Sequence, residues 1–403
     1  MGIHPQRTIA RYMKVYGVTL LIAAGILSIP FFAALHYLRV MGEVPMSEVI
    51  EAQLQNRGKK ICLFGSGLVN GDFNYKTALY DRIQPDVVGL GSSRVLNFRS
   101  DMFTGSFLTL GGGFNSLSEG EALVKHILAR HKPKLILFGI DYWWFNNIYI
   151  PASYHFSPPP TLDEPMSPVT KFLKVISFVL EGKVTLSEII SASSNPFYDN
   201  CHFGLTAKKY RDGFAPDGSY YYGGFVTGLR KSDDPRFLRT LNKVRNGISR
   251  FSYNSELDPA HLATFERIVA MLQQSGVPTV YFFTPFPKVL DDAMAQYADG
   301  YGYIKKLHEY LKNKGLTVYD FSDMTPYGGT DCEFLEGIHG GDVLYARMLE
   351  QLAERDPRVR PWLDAPHLKD YLRYAGYAMK PRPEVIDAPE IDFLGLGCKK
   401  TPQ

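Results

Sequence analysis

The stretch Pro85-Asp86-Val87-Val88-Gly89-Leu90-Gly91-Ser92-Ser93-Arg94 decides the reading of the fold. The run from Val87 to Leu90 is short, uncharged and β-branched at its start, and it breaks at Gly91 into a polar turn. Such a run predicts a strand buried on both faces of a parallel sheet, ending where a side chain must face a crevice. Glycine permits the sharp or close-packed backbone there, and Ser92 and Ser93 put hydroxyls on the turn. Ser93 is the candidate nucleophile. The plainer alternative is a pair of turn or helix-cap serines.

Downstream, Phe107 to Leu110 predicts a second short strand, ending in Gly111-Gly112-Gly113. Ser118 and Glu121 have the spacing of a helix capping box, and Leu123, Ile127 and Leu128 give that helix its apolar stripe before Pro133. Leu135 to Ile140 is the next buried strand, running into Asp141-Tyr142-Trp143-Trp144-Phe145-Asn146-Asn147. The alternation resumes later: a helix over Pro259–Gln274, a strand at Thr279–Phe283, helix over most of Ala293–Lys314 and a strand at Thr317–Phe321. Last come the loop Glu336-Gly337-Ile338-His339 and a helix through Leu352. Strands alternating with helices over short connections imply an α/β domain with a doubly wound parallel sheet, here of five strands.

Upstream, Lys60–Phe64 reads as a strand followed by Gly65-Ser66-Gly67 and Gly71. Asn70 stands where the third glycine of a dinucleotide fingerprint belongs, which argues against nucleotide binding. Between about residues 148 and 258 the pattern lapses. Pro158-Pro159-Pro160 marks a loop, Val169–Leu180 a helix, and Gly213–Gly224 an irregular Gly/Tyr-rich stretch. So long a passage reads as an insertion or lid beside the site, or as a packed subdomain without a chemical role.

The first forty residues set the compartment. Val15 to Leu38 contains no Asp, Glu, Lys or Arg, enough to cross a bilayer as a helix. Arg7, Arg11 and Lys14 precede this run, and Glu43, Glu48 and Glu51 follow it. The positive-inside rule then puts the tail 1–14 in the cytoplasm and everything beyond the anchor 15–38 outside. A cleaved signal peptide is the rival, disfavoured by the length of the run and the lack of a clear cleavage site. Residues 39–59, amphipathic from Met41 to Lys59, read as a stalk, 60–364 as the globular domain and 365–403 as a Pro-rich tail. A net charge of only +3 gives no footprint for nucleic acid. The cysteines, Cys62, Cys201, Cys332 and Cys398, form no Cys-x-x-Cys pair, so no zinc or redox motif is implied. An oxidising compartment permits disulfides without fixing their pairing, and Cys62 reads as a small core residue.

Three distant segments therefore fall at carboxyl ends of parallel strands: Ser93, the glycine triplet and the loop Glu336–His339. Acyl transfer by serine needs a base, an acid to orient it and donors for an oxyanion. His339 supplies the base and Glu336 the orienting acid, with Asp331 and Asp342 as alternative orienters. The oxyanion hole falls to backbone N–H groups of Ser93 and of one of Gly111, Gly112 or Gly113. Each part also has an ordinary structural reading; their co-occurrence in order on one sheet carries the inference.

That combination resembles the SGNH hydrolase-like superfamily, whose blocks are similar to Gly91-Ser92-Ser93, Gly111–Gly113, Gly139-Ile140-Asp141 and Glu336–His339. Gly91-Ser92-Ser93-Arg94 and Gly213-Phe214-Ala215-Pro216-Asp217-Gly218-Ser219-Tyr220 are similar to the membrane-anchored branch that includes the teichoic acid D-alanyl transfer and alginate O-acetylation proteins. The resemblance spans roughly Lys60 to Glu354. It implies a three-layer α/β sandwich and a Ser93-His339-Glu336 triad without metal or cofactor. It also implies a polysaccharide acceptor outside the cytoplasmic membrane and a multi-pass membrane-bound O-acyltransferase as acyl supplier. Two departures stand out: Glu336 replaces the usual Asp, and Asp141 stands where hydrolytic members carry an oxyanion-binding Asn. A carboxylate repels an oxyanion, so Asp141 is assigned to a sugar hydroxyl or a cation, with Asn146 as a substitute donor. Arg94 is a candidate for an anionic sugar or a neighbouring carboxylate, and Tyr142, Trp143 and Trp144 for stacking on sugar faces or plain packing. Most of this points to O-acetyl transfer; a polysaccharide acetyl esterase and a non-catalytic assembly or carbohydrate-binding component are the rivals.

Overall fold

A computed structural model of the chain describes residues 5–69, 72–148, 166–192 and 201–400. The expected loop at Pro158-Pro159-Pro160, and Asn70 and Gly71, lie outside these. In chain order the strands are β1 (Leu63–Phe64), β2 (Val87–Leu90), β3 (Phe107–Thr109), β4 (Leu135–Ile140), β5 (His202–Phe203) and β6 (Asp212–Phe214). They continue with β7 (Tyr220–Tyr222), β8 (Thr279–Phe283), β9 (Val318–Asp320), β10 (Phe334–Glu336) and β11 (His339–Gly340).

The main sheet has the order β3-β2-β4-β8-β9, and every pair in it is parallel. Strands β2, β3 and β4 are buried throughout, as their unbroken apolar runs require. The chain leaves β2 for β3 on one side and returns to β4 on the other. This reversal opens a crevice at the carboxyl end of β2, the usual ligand position in an open α/β sheet. Helices Leu117–Arg130 and Pro259–Ser275 run between these strands. The first is capped two residues earlier than the sequence suggests: Ser116 is the N-cap and the Glu119 carboxylate bonds back to the Ser116 N–H, 3.1 Å. Both serines have a Glu three residues on, and Leu117 at the first helical position is buried, which decides between them.

Two expectations about the periphery change and a third narrows. Residues 39–59 are no stalk: helix Met46–Asn56 buries Met46, Val49 and Ile50, and Gln53 donates to the Cys62 and Phe214 carbonyls. Glu43 also joins the end of the N-terminal helix to the body, accepting from Gly67 N–H at 2.7 Å, Leu205 N–H at 2.8 Å and Ser66 Oγ at 2.6 Å. The described part of the insertion 148–258 is packed on the body, which, of the two readings, favours the subdomain over a lid. Strands β5, β6 and β7 join β1 in a second sheet of order β5-β1-β6-β7, and the turn after β6 reaches the main sheet through Thr109 N–H to Asp217 O, 2.9 Å. Cys62, read as a core thiol, is disulfide-bonded to Cys201 at the head of this sheet, and Cys332 pairs with Cys398. Pairing across such separations is a tertiary fact, invisible to spacing.

Helix Pro5–Val40 contains an apolar segment, Tyr12–Val40, long enough to cross a membrane. Pro30 lies within it without ending it.

Candidate active site

Beyond β2 the backbone swings through Gly91 into a single 3-10 turn, Ser93–Val95, with the Ser92 hydroxyl accepting from Arg94 N–H at 3.2 Å. Val95 packs down over the next strand, where Gly139 leaves it room: a Cβ there would lie 2.5 Å from Val95 Cγ1. Ser93 is thereby raised at the sheet edge, partly exposed, while Ser92 and Arg94 are buried. After β10, the tight turn Glu336–His339 brings the imidazole to it.

Ser93 Oγ lies 2.7 Å from His339 Nε2, and His339 Nδ1 lies 2.7 Å from Glu336 Oε1. With the Nδ1 proton directed at Glu336, Nε2 is left as the acceptor for the serine proton. Burial works against a charged Glu336, but the His339 ring, its hydrogen bond and the Ile338 N–H outweigh it, holding the carboxyl down at about 2. The other carboxylate oxygen, Oε2, faces Arg239 at 3.6 Å. The alternative orienters are engaged elsewhere: Asp331 accepts from Lys288 N–H, and Asp342 from Arg99 Nε at 3.1 Å and Lys380 N–H at 2.8 Å.

The glycine triplet lies against the serine turn, since a Cβ on Gly111 would come within 3.0 Å of Leu96 N. Gly111 N–H donates to Thr109 Oγ1 (3.0 Å) and Gly113 N–H to Leu110 O (2.9 Å). Gly112, at φ +77°, is the member of the triplet whose N–H makes neither of these bonds. Thr109 Oγ1 in turn donates to Val95 O, 2.8 Å, tying the triplet to the turn.

The structure reassigns the expected substrate-binding residues. Arg94 is 1% exposed and bonds through Nη1 to Asp141 Oδ1 (3.2 Å) and through Nη2 to Thr284 O (3.0 Å) and Pro285 O. Its guanidinium also lies 3.9 Å from the Phe286 ring centre and 5.2 Å from that of Trp143. Neither Arg94 nor Asp141 faces a sugar; each neutralises the other inside the sheet edge. Tyr142, Trp143 and Trp144 are buried as well, Trp144 against Phe114 and Phe138, so they pack rather than stack on a ligand. Asn146 is spent on structure: Nδ2 donates to Ser252 O at 2.6 Å and Oδ1 accepts from Ile148 N–H at 3.0 Å.

Sequence reasoning missed the residues that hold the base loop. Asn97 Nδ2 donates to Gly340 O at 2.7 Å, and buried Asp234 accepts from Gly337 N–H at 3.1 Å and Thr240 Oγ1 at 2.6 Å. Tyr222, at the end of β7, lies with its ring 6.3 Å from the His339 ring. Asn97, four residues after the nucleophile, was the one within reach of local reading; Asp234 and Tyr222 come from the irregular insertion. In comparisons with protein-family models, curated proteins and solved structures, nothing matches this chain.

Proposed function

We propose that the protein is a membrane-anchored serine acyltransferase of SGNH-like architecture that O-acetylates an envelope polysaccharide on the far side of the cytoplasmic membrane. The observation carrying this reading is the unbroken chain Ser93 Oγ, His339 and Glu336, with 2.7 Å at both steps. In the first half-reaction Ser93 Oγ attacks the acyl carbon while His339 Nε2 takes its proton and returns it to the leaving group. In the second, His339 removes the proton of a sugar hydroxyl, which attacks the acyl-serine; Ser93 regains its proton as the C–O bond breaks. The N–H groups of Ser93 and Gly112 stabilise the oxyanion formed in each half-reaction.

The apolar helix Tyr12–Val40 supports membrane anchoring, and the two disulfides suit an oxidising compartment. An anchored site favours transfer over free hydrolysis, because a membrane-bound O-acyltransferase can then deliver the acyl group locally. Mass spectrometry of the full-length protein after exposure to an acetyl donor tests the reading: an acetyl mass on the Ser93 peptide of wild type, and none in Ser93→Ala, is expected. Net acetate release from acetylated polymer, without acceptor transfer, would make it an esterase instead. Unchanged polymer acylation in cells carrying Ser93→Ala or His339→Ala would leave only the assembly role.

A further inference from the structure

Helix Pro168–Leu180 carries two apolar faces where a surface helix normally has one. On the first, Phe172, Val175 and Phe178 pack against the outer end of the anchor, with the Phe172 ring 5.4 Å from Phe31 and Val175 clustered with Ala34 and Leu38. The second is a stripe at spacings of four, three and four, made by Val169, Leu173, Ile176 and Leu180, and it is open: Leu173 is 57% and Leu180 83% exposed. The short helix Leu186–Ala192, also packed on the anchor through Ala192 and Ile189, adds exposed Leu186 and Ile190.

The anchor's length says what covers this stripe. Tyr12–Val40 has 29 residues, about 43 Å of helix, whereas about 20 residues cross the hydrocarbon core. Counting 20 from Val15, the first residue past Lys14, ends at Ala34, where Val175 packs. The outer turns of the anchor, Ala34 to Val40, are therefore shielded by the two helices rather than by lipid alone. Ile29 and Phe32 on the anchor are exposed as well, and exposed Lys174 on the same helix as the stripe can reach headgroups.

Resting on the reading of Tyr12–Val40 as a membrane span, we propose that helices Pro168–Leu180 and Leu186–Ala192 form a collar seated in the bilayer interface. Its lipid-facing stripe would be Val169, Leu173, Ile176, Leu180, Leu186 and Ile190. The collar fixes the body against the membrane surface instead of leaving it on a tether.

Full-length Leu173→Trp and Leu180→Trp proteins, reconstituted in phosphatidylcholine–phosphatidylglycerol vesicles, test this against wild type, whose native tryptophans set the background. The added emission should be blue-shifted and quenched about twofold by phosphatidylcholine brominated near the carbonyl end of its acyl chains. Thr170→Trp should stay solvent-like and unquenched. Water-like, unquenched emission at both stripe positions overturns the collar, as does blue-shifted emission that brominated lipid cannot quench, which would mean a protein partner or a second copy. Alkaline carbonate extraction separates the two readings: release from the vesicles fails the anchor, whereas retention with unquenched reporters fails the collar alone.

Discussion

Arg94, the residue after Ser93, donates its Nε–H to the carbonyl of Ile338, the residue before His339, at 3.0 Å. Asn97 repeats the arrangement on the far side of His339 by bonding Gly340 O. The segment following Ser93 thus grips the backbone on both sides of the imidazole, and Ser93 and His339 belong to one hydrogen-bonded unit.

Replacing Arg94 by Lys keeps the charge but loses the planar fork that serves Ile338, Asp141, Thr284 and Pro285 together. Because Asp141 is equally buried, an imperfect partner leaves an uncompensated carboxylate, at a cost of about 3 kcal/mol or more. Arg94→Lys is expected to unfold at lower urea, and what remains folded should transfer acetyl more slowly at unchanged acceptor KM. Wild-type stability would show that the Arg94–Asp141 pair holds nothing together.

Glu336→Gln keeps the shape but removes the charge that fixes the His339 tautomer, for which a loss in kcat of about 10⁴-fold is the expected scale. The same substitution has a pH signature. The folded carboxyl is held at about 2, below the ordinary 4.5, so its stabilising contribution is complete above about pH 4.5 and vanishes as pH falls through about 2. The difference in urea midpoint between wild type and Glu336→Gln should therefore be full at about pH 5 and gone near pH 2. A difference independent of pH would mean that the carboxylate charge is not what Gln removes.

Thr109→Val tests the link between the glycine triplet and the serine turn. The hydroxyl accepts from Gly111 N–H and donates to Val95 O, and valine leaves both buried groups without it. A loss of about 2 kcal/mol in stability is expected. Because the triplet can then drift relative to Ser93, acyl-enzyme formation should slow at least as much as in Thr109→Ser, which keeps the hydroxyl. Equal activity in Thr109→Val and wild type would exclude the triplet from oxyanion stabilisation.

The parallel strands were readable because each is a continuous apolar run bounded by turn residues; β2, β4 and β8 begin and end where that pattern does. Ser93 was readable for a related reason, a short polar interruption just after such a run; Glu336 and His339 lie instead on β10 and β11, an antiparallel hairpin outside the main sheet and not the carboxyl end of a parallel strand that was expected for them. The reasoning failed where partners are far apart in sequence. For Arg94 and for Tyr142–Trp144 the residues left two readings open, and only long-range partners choose between them: Asp141 pairs with Arg94, and the core closes over the aromatics. β1 falls within the strand read at Lys60–Phe64, but β5–β7, of two and three residues, have no period to detect, and the pairing of all four rests on long-range register.

The C-terminal segment, expected as a tail outside the domain, packs directly behind the base loop. A Cβ on Gly341 would lie 1.7 Å from Ala378 O, so the two backbones touch two residues from His339. Glu390 accepts from Ala378 and Met379 N–H, both at 2.9 Å, and forms an ion pair with Lys400 at 2.6 Å; Cys398 then fastens the segment to Cys332. Ending the chain at residue 364 should therefore abolish folding rather than trim a domain boundary. The paired substitution Cys332→Ala, Cys398→Ala removes a long closed loop from the constraints on the unfolded chain, worth about 2–4 kcal/mol. It should lower the urea midpoint, and proteolysis should cut first near residues 376–398. Activity should fall with temperature earlier than in wild type, because Gly341 and His339 lose their backing together. A full-strength enzyme in the truncated chain would mean that the base loop is held from the front alone, by Arg94, Asn97 and Asp234.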